Sequence, residues 1–411
     1  MPSPVFLEVI DMSSTLYLVR LGEISLKGLN RGFFEKRLKQ NIKSKLKPYH
    51  SEEHKQKGRL YFSIDDDCPE AIRDEAFRTT FGVVGYSKCV ATKKDMESIK
   101  RMADELIGEP PFSSGKGTFK VETRRSDKLF PLDSYGINCE LGGVVLDRYP
   151  EMKVAVKNPE KMLYCEIRDQ AYLYTSPQDG PGGLPCTTAG KAMLLLSGGI
   201  DSPVACYKMA GRGLKMEAIY FHAYPYTSEE ALGKVKKLSS LLAPYNQGMR
   251  LHVVPFTDQQ IWIRDHSPED EHTLMFRAAM MKVANMIAGK EEGMAIVTGE
   301  SLSQVASQTL ESMSFSDSMS ERLVLRPLVG MEKQDIMKEA VRIGTYDTSI
   351  LPYEDCCVIF SPKHPLVKPD KKICTEHFLA MEMDEMLKRA VSETVAVDFD
   401  VHGKELARET V

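Results

Sequence analysis

The segment KAMLLLSGGIDSPVACYKMA at residues 191–210 is the strongest indication of the fold. It begins with an uninterrupted apolar run, AMLLL, which predicts a strand buried on both faces of a parallel sheet. Ser197, Gly198 and Gly199 follow this run, and Ser202 and Pro203 have the preferences of a helix start. A glycine-rich turn between a central strand and a helix N-terminus predicts an anion-binding site.

The same turn differs from two common nucleotide sites. The sequence contains neither GxxxxGK[ST], the P-loop pattern, nor GxGxxG, the dinucleotide-binding pattern. The anion site is therefore not expected to hold a γ-phosphate for phosphoryl transfer or a dinucleotide. A glycine-rich turn with no ligand is the plainer alternative.

Strand and helix patterns alternate on the carboxyl side of this segment. Strands are predicted in MEAIYFHAY, RLHVVPF, MAIVTGE and VLRPLVG, and helices are predicted over 229–242, 258–288, 303–312 and from Lys333. This alternation is typical of an α/β fold with a doubly wound parallel sheet, which we expect over 179–411.

The amino-terminal part has a different spacing. A strand at 16–22, a helix from Arg31 to Leu46 and a strand at 58–64 predict a β-α-β unit within 1–70. Residues 71–178 mix strands and helices at short intervals, which indicates a second small domain. The segment SPQDGPGGLPCTTAG at 176–190 is rich in glycine and proline, so we place the main boundary there.

Charge and composition narrow the function classes. The 411 residues carry a net charge of −4, yet residues 20–59 hold twelve Lys or Arg against four acids. Such a basic block is typical of a surface that binds a polyanion, although a solvated helix face remains an alternative.

No apolar stretch is long enough to cross a bilayer and no secretory leader is recognisable, so we expect a cytoplasmic protein without membrane contact. Nine cysteines without a CxxC pair argue against a zinc ribbon or a secreted disulfide framework.

The SGGIDS turn after an apolar strand resembles the pyrophosphate-binding loop of the ATP pyrophosphatases, enzymes that adenylate a carbonyl oxygen. Five segments, one of which contains this turn, resemble the tRNA 4-thiouridine synthetase family: VRLGEISLKGLNR (19–31), FKVETRRSDKLFPLDSYGINCELG (119–142), GGLPCTTAGKAMLLLSGGIDSPVA (182–205), TGESLSQVASQTLESM (298–313) and LPYEDCCVIFSPKHP (351–365).

This resemblance covers nearly the whole chain and implies three domains. They would be a ferredoxin-like domain at 1–70, a THUMP RNA-binding domain at 71–178 and the ATP pyrophosphatase (PP-loop) domain at 179–411. The implied activity is ATP-dependent replacement of the uridine-8 carbonyl oxygen of tRNA by sulfur, and many members also serve thiamine thiazole synthesis. Only about 46 residues follow Pro365, so we expect the short form without a rhodanese domain.

The resemblance also implies site residues. Ser197, Gly198, Gly199, Asp201 and Ser202 would hold the phosphates of ATP. The adenine and ribose pocket would use the following residues: Leu195, Leu196, Tyr220, Phe221, Arg277, Gly299 and Gln308. A carboxylate in an anion loop repels phosphate unless it holds Mg²⁺ or orients the backbone, and we favour Mg²⁺ at Asp201. Arg277 could equally be an ordinary surface residue of a helix.

Cys356 and Cys357 are the candidates for sulfur transfer, because a thiolate is the nucleophile and the persulfide carrier. Cys357 is the better match to family members with one cysteine here, and Cys356 stays open, as does a buried structural pair. Cys206 is a speculative resolving thiol, although a core cysteine is the plainer interpretation. The sulfur donor would be a cysteine desulfurase.

Basic residues in both amino-terminal segments are the candidates for binding tRNA phosphates. They are Lys27, Arg31, Lys36, Arg124, Arg125 and Lys128. Two other functions remain open: a small-molecule adenylating ligase of the same superfamily, and an RNA-binding protein without catalysis. The chain is a possible homodimer.

Overall fold

The protein is described by a computed structural model that covers residues 13–56, 59–353 and 362–407. The chain divides into two compact units, Met1–Gly183 and Leu184–Val411. Within the described residues, no helix is long and apolar enough to cross a membrane. The two proposed amino-terminal domains both lie in the first unit, and their exact bounds stay a prediction.

The first unit alternates strands and helices. Its strands are β1 (Ser14–Leu21), β2 (Ser51–Gln56), β3 (Arg59–Asp65), β4 (Val83–Thr92), β5 (Thr118–Arg125), β6 (Lys153–Val154), β7 (Lys161–Ile167), β8 (Ala171–Tyr174) and β9 (Gln178–Asp179). Its helices are α1 (Arg31–Leu46), α2 (Glu70–Arg78), α3 (Met96–Ile107) and α4 (Ser134–Arg148).

One sheet runs through the described part of this unit. The strand order is β2-β3-β1-β4-β8-β7-β5-β6, and β9 pairs with β4. Strands β1 and β3 are antiparallel, whereas β5 and β7 are parallel. The long strand β4 pairs with β1 in its first part and with β8 in its last part, so it connects the two halves of the sheet.

The helix predicted over Arg31–Leu46 is present with those bounds. Leu38, Ile42 and Leu46 are buried, as the spacing predicts. Phe33 is different, because 51% of its surface is exposed. The first turn of α1 therefore leaves an aromatic ring outside the core.

The second unit contains the alternation that follows residue 190. Its strands are β10 (Lys191–Leu195), β11 (Lys215–His222), β12 (Met249–Pro255), β13 (Ala295–Val297), β14 (Leu323–Leu325) and β15 (Val395–Phe399). Its helices are α5 (Asp201–Ala210), α6 (Glu229–Asn246), α7 (Thr257–His266), α8 (His272–Lys290), α9 (Leu310–Ser318), α10 (Lys333–Arg342), α11 (Tyr346–Ser349), α12 (Lys371–Ala380) and α13 (Asp384–Ser392).

The strand order β14-β13-β10-β11-β12-β15 confirms the doubly wound parallel sheet. All neighbours are parallel except β15, which closes the edge antiparallel to β12. The chain moves from β10 to one side of the sheet and later returns to place β13 on the other side of β10. The crevice at the carboxyl ends of β10 and β13 is thus the topological switch point, where open α/β sheets bind ligands.

Helix α8 packs at the centre of the second unit. Most of its residues are buried, including Met275, Ala279 and Val283. A helix that is apolar on nearly all sides must be covered on all sides, and α8 contacts the sheet together with α9, α12 and α13. This packing fixes α8 beside the switch point.

One predicted helix differs in the structure. The prediction of a helix over 303–312 is wrong. A 3₁₀ turn at Ala306–Gln308 comes first, and α9 begins only at Leu310. Thr309 ends the turn and caps α9, since its side chain accepts a hydrogen bond from Ser312 N. The helices expected over 258–288 are present as α7 and α8, which are separated around Ser267 and Pro268.

Candidate active site

The SGGIDS turn is closed by its own serines. Ser202 Oγ accepts a hydrogen bond from Ser197 N at 3.0 Å, and the two hydroxyl oxygens are 3.1 Å apart. The expected helix cap at Ser202 is therefore wrong: α5 begins at Asp201, and Ile200 at the N-cap position makes no side-chain cap. Ser202 joins the start of the turn to the start of α5.

Gly199 and Gly299 lie at the carboxyl ends of the strands, and the absence of a side chain has a different effect at each. A Cβ on Gly199 would meet only Ser197 Oγ, at 3.5 Å, so the space above the turn is open. A Cβ on Gly299 would lie 2.7 Å from Ser202 N and 2.9 Å from the carbonyl carbon of Asp201. Gly299 thus lets the loop after β13 approach the first turn of α5 backbone to backbone.

A pocket of about 260 Å³ lies at the switch point. Ten of the twelve predicted nucleotide-binding residues line it: Leu195, Leu196, Ser197, Asp201, Ser202, Tyr220, Phe221, Arg277, Gly299 and Gln308. Gly198 and Gly199 belong to the adjoining turn and are not part of the lining. The structure therefore brings together residues that are up to 113 positions apart along the chain.

One wall of the pocket is apolar. Tyr220 and Phe221 come from the end of β11, and Met280 and Met281 come from α8. Leu195 and Leu196 add the end of β10. An apolar slot with a few polar groups at its ends suits a flat heterocyclic ring.

Another part of the pocket lining carries a buried charge network. Glu300, which is 4% exposed, forms ion pairs with Arg277 through Oε1 and with Arg326 through Oε2 at 2.7 Å. Thr298 Oγ1 donates to Glu300 Oε2 at 2.8 Å, and Arg326 also pairs with Asp317. Arg277 therefore lines the pocket and is not an ordinary surface residue of its helix.

Asp201 has two partners at the mouth of the pocket. Its Oδ1 accepts a hydrogen bond from Lys333 Nζ at 2.5 Å, and its Oδ2 accepts one from Gln304 Nε2 at 2.9 Å. Lys333 is the first residue of α10. The ammonium of Lys333 thus offsets the charge of the Asp201 carboxylate beside the turn.

Sequence reasoning missed Glu300, Arg326 and Lys333. Glu300 and Arg326 each follow the carboxyl end of a parallel strand, β13 and β14. The rule that selected Gly299 would have selected them too. Lys333 could not be selected by this rule, because nothing in the sequence distinguishes it from any other lysine at the start of a helix.

The candidate cysteines differ in whether the structure describes them. Cys356 and Cys357 lie outside the described residues, so their predicted role stays a prediction. Cys206 is 1% exposed, and burial raises the pKa of its thiol far above the ordinary value. A buried, protonated thiol is a poor nucleophile, which favours the core interpretation of Cys206.

The predicted tRNA-binding residues have unequal surroundings. Lys27 pairs with Glu23 at 3.4 Å, Arg31 with Glu35 at 2.7 Å, and Arg124 with Glu122 at 3.0 Å.

Arg125 faces a different environment, because it donates to the carbonyl oxygens of Phe130 and Leu132 at 3.1 and 2.9 Å. It therefore fixes the loop that follows β5. Lys36 and Lys128 are exposed and make no ion pair within the described residues.

Part of the basic block serves the fold of the first unit. Lys45 is buried and donates to Thr79 Oγ1 at 2.6 Å, and Arg59 pairs with the buried Glu166. Lys43 and Lys55 also have acidic partners. The net positive charge of the block thus overstates the number of cations that are open to a polyanion.

A second polar cluster lies toward the amino ends of the strands. Ligand atoms of Glu217, His252 and Glu291 lie within 4.8 Å of one another. Glu217 already accepts hydrogen bonds from Lys191 at 2.8 Å and from His252 at 3.0 Å. Burial alone would raise the pKa of Glu217, but these hydrogen bonds outweigh it and lower the pKa to about 2. The hydrogen bonds from Lys191 and His252 already stabilise the charged carboxylate of Glu217, so we assign no metal to this cluster.

Known proteins match this chain over nearly its full length. The chain is 44% identical over 381 residues to a probable tRNA sulfurtransferase of Caldanaerobacter subterraneus subsp. tengcongensis, covering 92% of this chain and 99% of that protein. It is 43% identical to a probable tRNA sulfurtransferase of Acetivibrio thermocellus, with coverages of 92% and 97%. The chain belongs to the tRNA sulfurtransferase family.

Family models and solved structures agree with this assignment. Three models match: ThiI ferredoxin-like domain over 16–87, THUMP domain over 93–176 and thiamine biosynthesis protein (ThiI) over 187–382. A crystal structure of a 4-thiouridine synthetase–RNA complex with bound ATP has a TM-score of 0.85 at 35% identity, covering 94% of this chain and 99% of that chain. The protein PH1313 of Pyrococcus horikoshii shares the fold, with a TM-score of 0.62 at 24% identity over 80% of this chain and 99% of that one.

Proposed function

We propose that this member of the tRNA sulfurtransferase family is an ATP-dependent enzyme that converts a uridine of tRNA to 4-thiouridine. The observation that carries the proposal is the pocket at the switch point, which joins the SGGIDS turn to Gly299, Glu300 and Arg277. The likeness to a 4-thiouridine synthetase that binds RNA and ATP supports it. The small-molecule ligase is not favoured, because the relatives match through the ferredoxin-like and THUMP segments as well.

The pocket suits ATP in one orientation. The apolar wall at Tyr220 and Phe221 accommodates the adenine ring, and the open turn at Gly199 faces the phosphates from the N-terminus of α5. Arg277 and Arg326, held by Glu300, keep the polar wall rigid. Lys333 lies where negative charge collects at the phosphates.

The first chemical step is adenylation of the base. The uracil O4 attacks the α-phosphorus of ATP, and the bond to pyrophosphate breaks. Asp201 would be the residue that holds Mg²⁺, because a carboxylate oxygen is a ligand that this ion accepts. When bound, the ion would supply charge neutralisation for the pyrophosphate leaving group.

The second step replaces oxygen by sulfur. A persulfide sulfur attacks C4 of the adenylated base, and AMP leaves with the former O4. A second thiol then cleaves the S–S bond, which leaves sulfur on C4 and the donor cysteine in a disulfide. Cys357, or its neighbour Cys356, is the proposed carrier, and a cysteine desulfurase is the proposed donor.

The proposal extends to three finer points. The target is uridine-8, the enzyme acts in the cytoplasm and it works as a homodimer. Sulfur supply to thiamine thiazole synthesis is a second proposed function, supported by the description of the matching family model as a thiamine biosynthesis protein.

The test uses purified protein, unmodified tRNA, ATP and a sulfide source. We expect tRNA to gain the near-ultraviolet absorbance of a thiocarbonyl, with one pyrophosphate released for each thiouridine formed. Asp201→Asn is the matched control, because it keeps the shape of the side chain and removes the charge. Absence of thiouridine with several tRNA species and both sulfide and desulfurase donors would contradict the proposal.

A further inference from the structure

Three aromatic rings lead from the pocket to the protein surface. Tyr220 lines the pocket and is 1% exposed. Its ring centroid is 5.9 Å from that of His222, which is 6.4 Å from that of Tyr224. Tyr224 is 60% exposed, and Tyr226, two residues further on, is 48% exposed. The exposed end of this row therefore begins only two rings away from the proposed adenine slot.

The backbone that carries the exposed rings is fixed. Thr227 is 1% exposed, and its Oγ1 accepts a hydrogen bond from Ala223 N at 2.9 Å. Its own N–H donates to Ala223 O at 2.9 Å, which closes the turn. Thr257 Oγ1 donates to Tyr224 O at 2.7 Å from the start of α7. The turn thus presents two tyrosine rings to solvent from a backbone with little freedom.

The charges around these rings do not suit a phosphate. Burial lowers the pKa of His222, so its imidazole is neutral at neutral pH. Its Nδ1 is 3.1 Å from Thr227 Oγ1, and its Nε2 is 3.9 Å from Glu229 Oε1. Glu229 and Glu230 open α6 directly after the turn. Arg264, which interacts electrostatically with Tyr226, is itself paired with Asp265 at 2.7 Å. With this cation compensated, a surface of aromatic rings beside acids favours an uncharged flat ring over a nucleic-acid backbone.

The proposed reaction needs such a ring at this place. A uracil stacked inside a folded tRNA cannot bring O4 to the α-phosphate of a nucleotide in the pocket, so the base must leave its stack. A base outside its stack is commonly received on an aromatic side chain, because every base has a face that can stack.

We propose that Tyr224, with Tyr226 beside it, is a stacking platform that receives the unstacked target uracil at the mouth of the ATP pocket. This inference rests on the proposed function. Tyr224 acts as a substrate-positioning residue through the face of its ring, and its hydroxyl is not required. The acids at the start of α6 keep the phosphates of the same nucleotide away from the platform.

The test compares Tyr224→Ala with Tyr224→Phe and Tyr224→Trp in the full chain. We expect Tyr224→Ala to lower kcat/KM for tRNA thiolation about tenfold, the loss typical of one stacking contact. Phe and Trp retain a ring and should stay within about twofold of the wild type. The affinity for ATP without tRNA should be unchanged in all three, which separates the platform from the pocket and reports on folding.

A second measurement observes the base directly. An unmodified tRNA with 2-aminopurine in place of the target uridine should change fluorescence on binding to the wild type, Tyr224→Phe and Tyr224→Trp. The change should be lost with Tyr224→Ala, whereas overall tRNA affinity, which phosphate contacts dominate, should fall less than twofold.

Two results overturn the platform. One is equal activity of Tyr224→Ala and the wild type, and the other is a Tyr224→Phe variant as poor as Tyr224→Ala, which would assign the effect to the hydroxyl. Both require an active wild-type enzyme. A wild type that forms no thiouridine contradicts the proposed function instead, so the two failures are distinguishable.

Discussion

Lys333 Nζ lies 2.5 Å from Asp201 Oδ1, although 132 residues separate the two along the chain. The ion pair connects the first residue of α10 to the first residue of α5 at the mouth of the pocket. Lys333 is 42% exposed and Asp201 is 20% exposed, so water screens the attraction. The pair adds little stability, and we propose that it places charge at the phosphates of ATP.

Lys333→Met should reduce tRNA-dependent pyrophosphate release by at least about a hundredfold, because it removes a cation from the site where negative charge develops. Asp201→Ala should abolish the release and leave tRNA binding intact. The measurement is pyrophosphate formed per enzyme, with thermal unfolding as the check on folding. Lys338→Met is the matched control on the same helix, since Lys338 pairs only with the exposed Asp335 among the described residues. Full activity of Lys333→Met would remove this residue from the mechanism.

Cys357→Ser should keep tRNA-dependent pyrophosphate release and stop thiolation by a cysteine desulfurase, because adenylation needs no sulfur nucleophile. Free sulfide is itself a nucleophile and should partly restore thiouridine. Cys374→Ser is the control, since burial raises the pKa of the Cys374 thiol to about 11 and keeps it protonated. Desulfurase-driven activity that survives in Cys356→Ser, Cys357→Ser and the double variant would exclude both residues as carriers.

Lys128→Ala and Arg125→Ala should separate RNA binding from folding. Lys128 is exposed, so its loss should weaken tRNA binding. It should also reduce by about one the slope of the logarithm of the binding constant against the logarithm of the salt concentration. Arg125 donates to two loop carbonyls, so its loss should lower the free energy of unfolding by about 1–2 kcal/mol. Binding titrations at several salt concentrations and urea unfolding are the measurements. The reverse pattern, with Lys128→Ala unstable and Arg125→Ala defective only in binding, would contradict the assignment.

Glu217 should make the second unit sensitive to acid. Burial opposes ionisation, but the hydrogen bonds from His252 and Lys191 lower the pKa from 4.5 to about 2. A pKa that is lower in the folded state contributes stability above pH 4.5, and this contribution is lost as the pH falls toward 2. The shift corresponds to ~3 kcal/mol.

Urea unfolding of the wild type and of Glu217→Gln between pH 2 and 7 measures this contribution. The wild type should lose more stability than the variant below pH 4.5. Glu385→Gln is the control, because Glu385 is 87% exposed. Parallel pH profiles of wild type and Glu217→Gln would show that Glu217 does not carry the effect.

The local elements could be predicted from sequence because their causes are local. The run AMLLL gives β10, and Ala192, Met193 and Leu194 are fully buried. The glycine-rich turn and the start of α5 follow within a few residues, so their order needs no distant contact. The carboxyl-end rule then placed Tyr220, Phe221 and Gly299 at one edge of the sheet, which is where the pocket lies.

The sequence could not predict which of two neighbouring residues of the same type is exposed and which one binds within the protein. Arg124 and Arg125 are adjacent in β5, yet Arg124 is 61% exposed and Arg125 turns to loop carbonyls. Successive side chains of a strand point to opposite faces, and the sequence does not state which face is covered. Ser202 has the chemistry of a helix cap, but its hydroxyl closes the turn because Ser197 is within reach.

The doubly wound sheet, the anion turn and most of the pocket lining could be predicted from the sequence, because buried strands and tight turns require particular residues at short spacing. The pairing of charged side chains, in contrast, depends on the three-dimensional structure. Glu300 lies between Arg277 and Arg326, and Lys333 reaches Asp201, because the strand order brings separate loops to one edge. Coulomb energy depends on the distance between charges and on their burial, and neither can be read from positions along a chain.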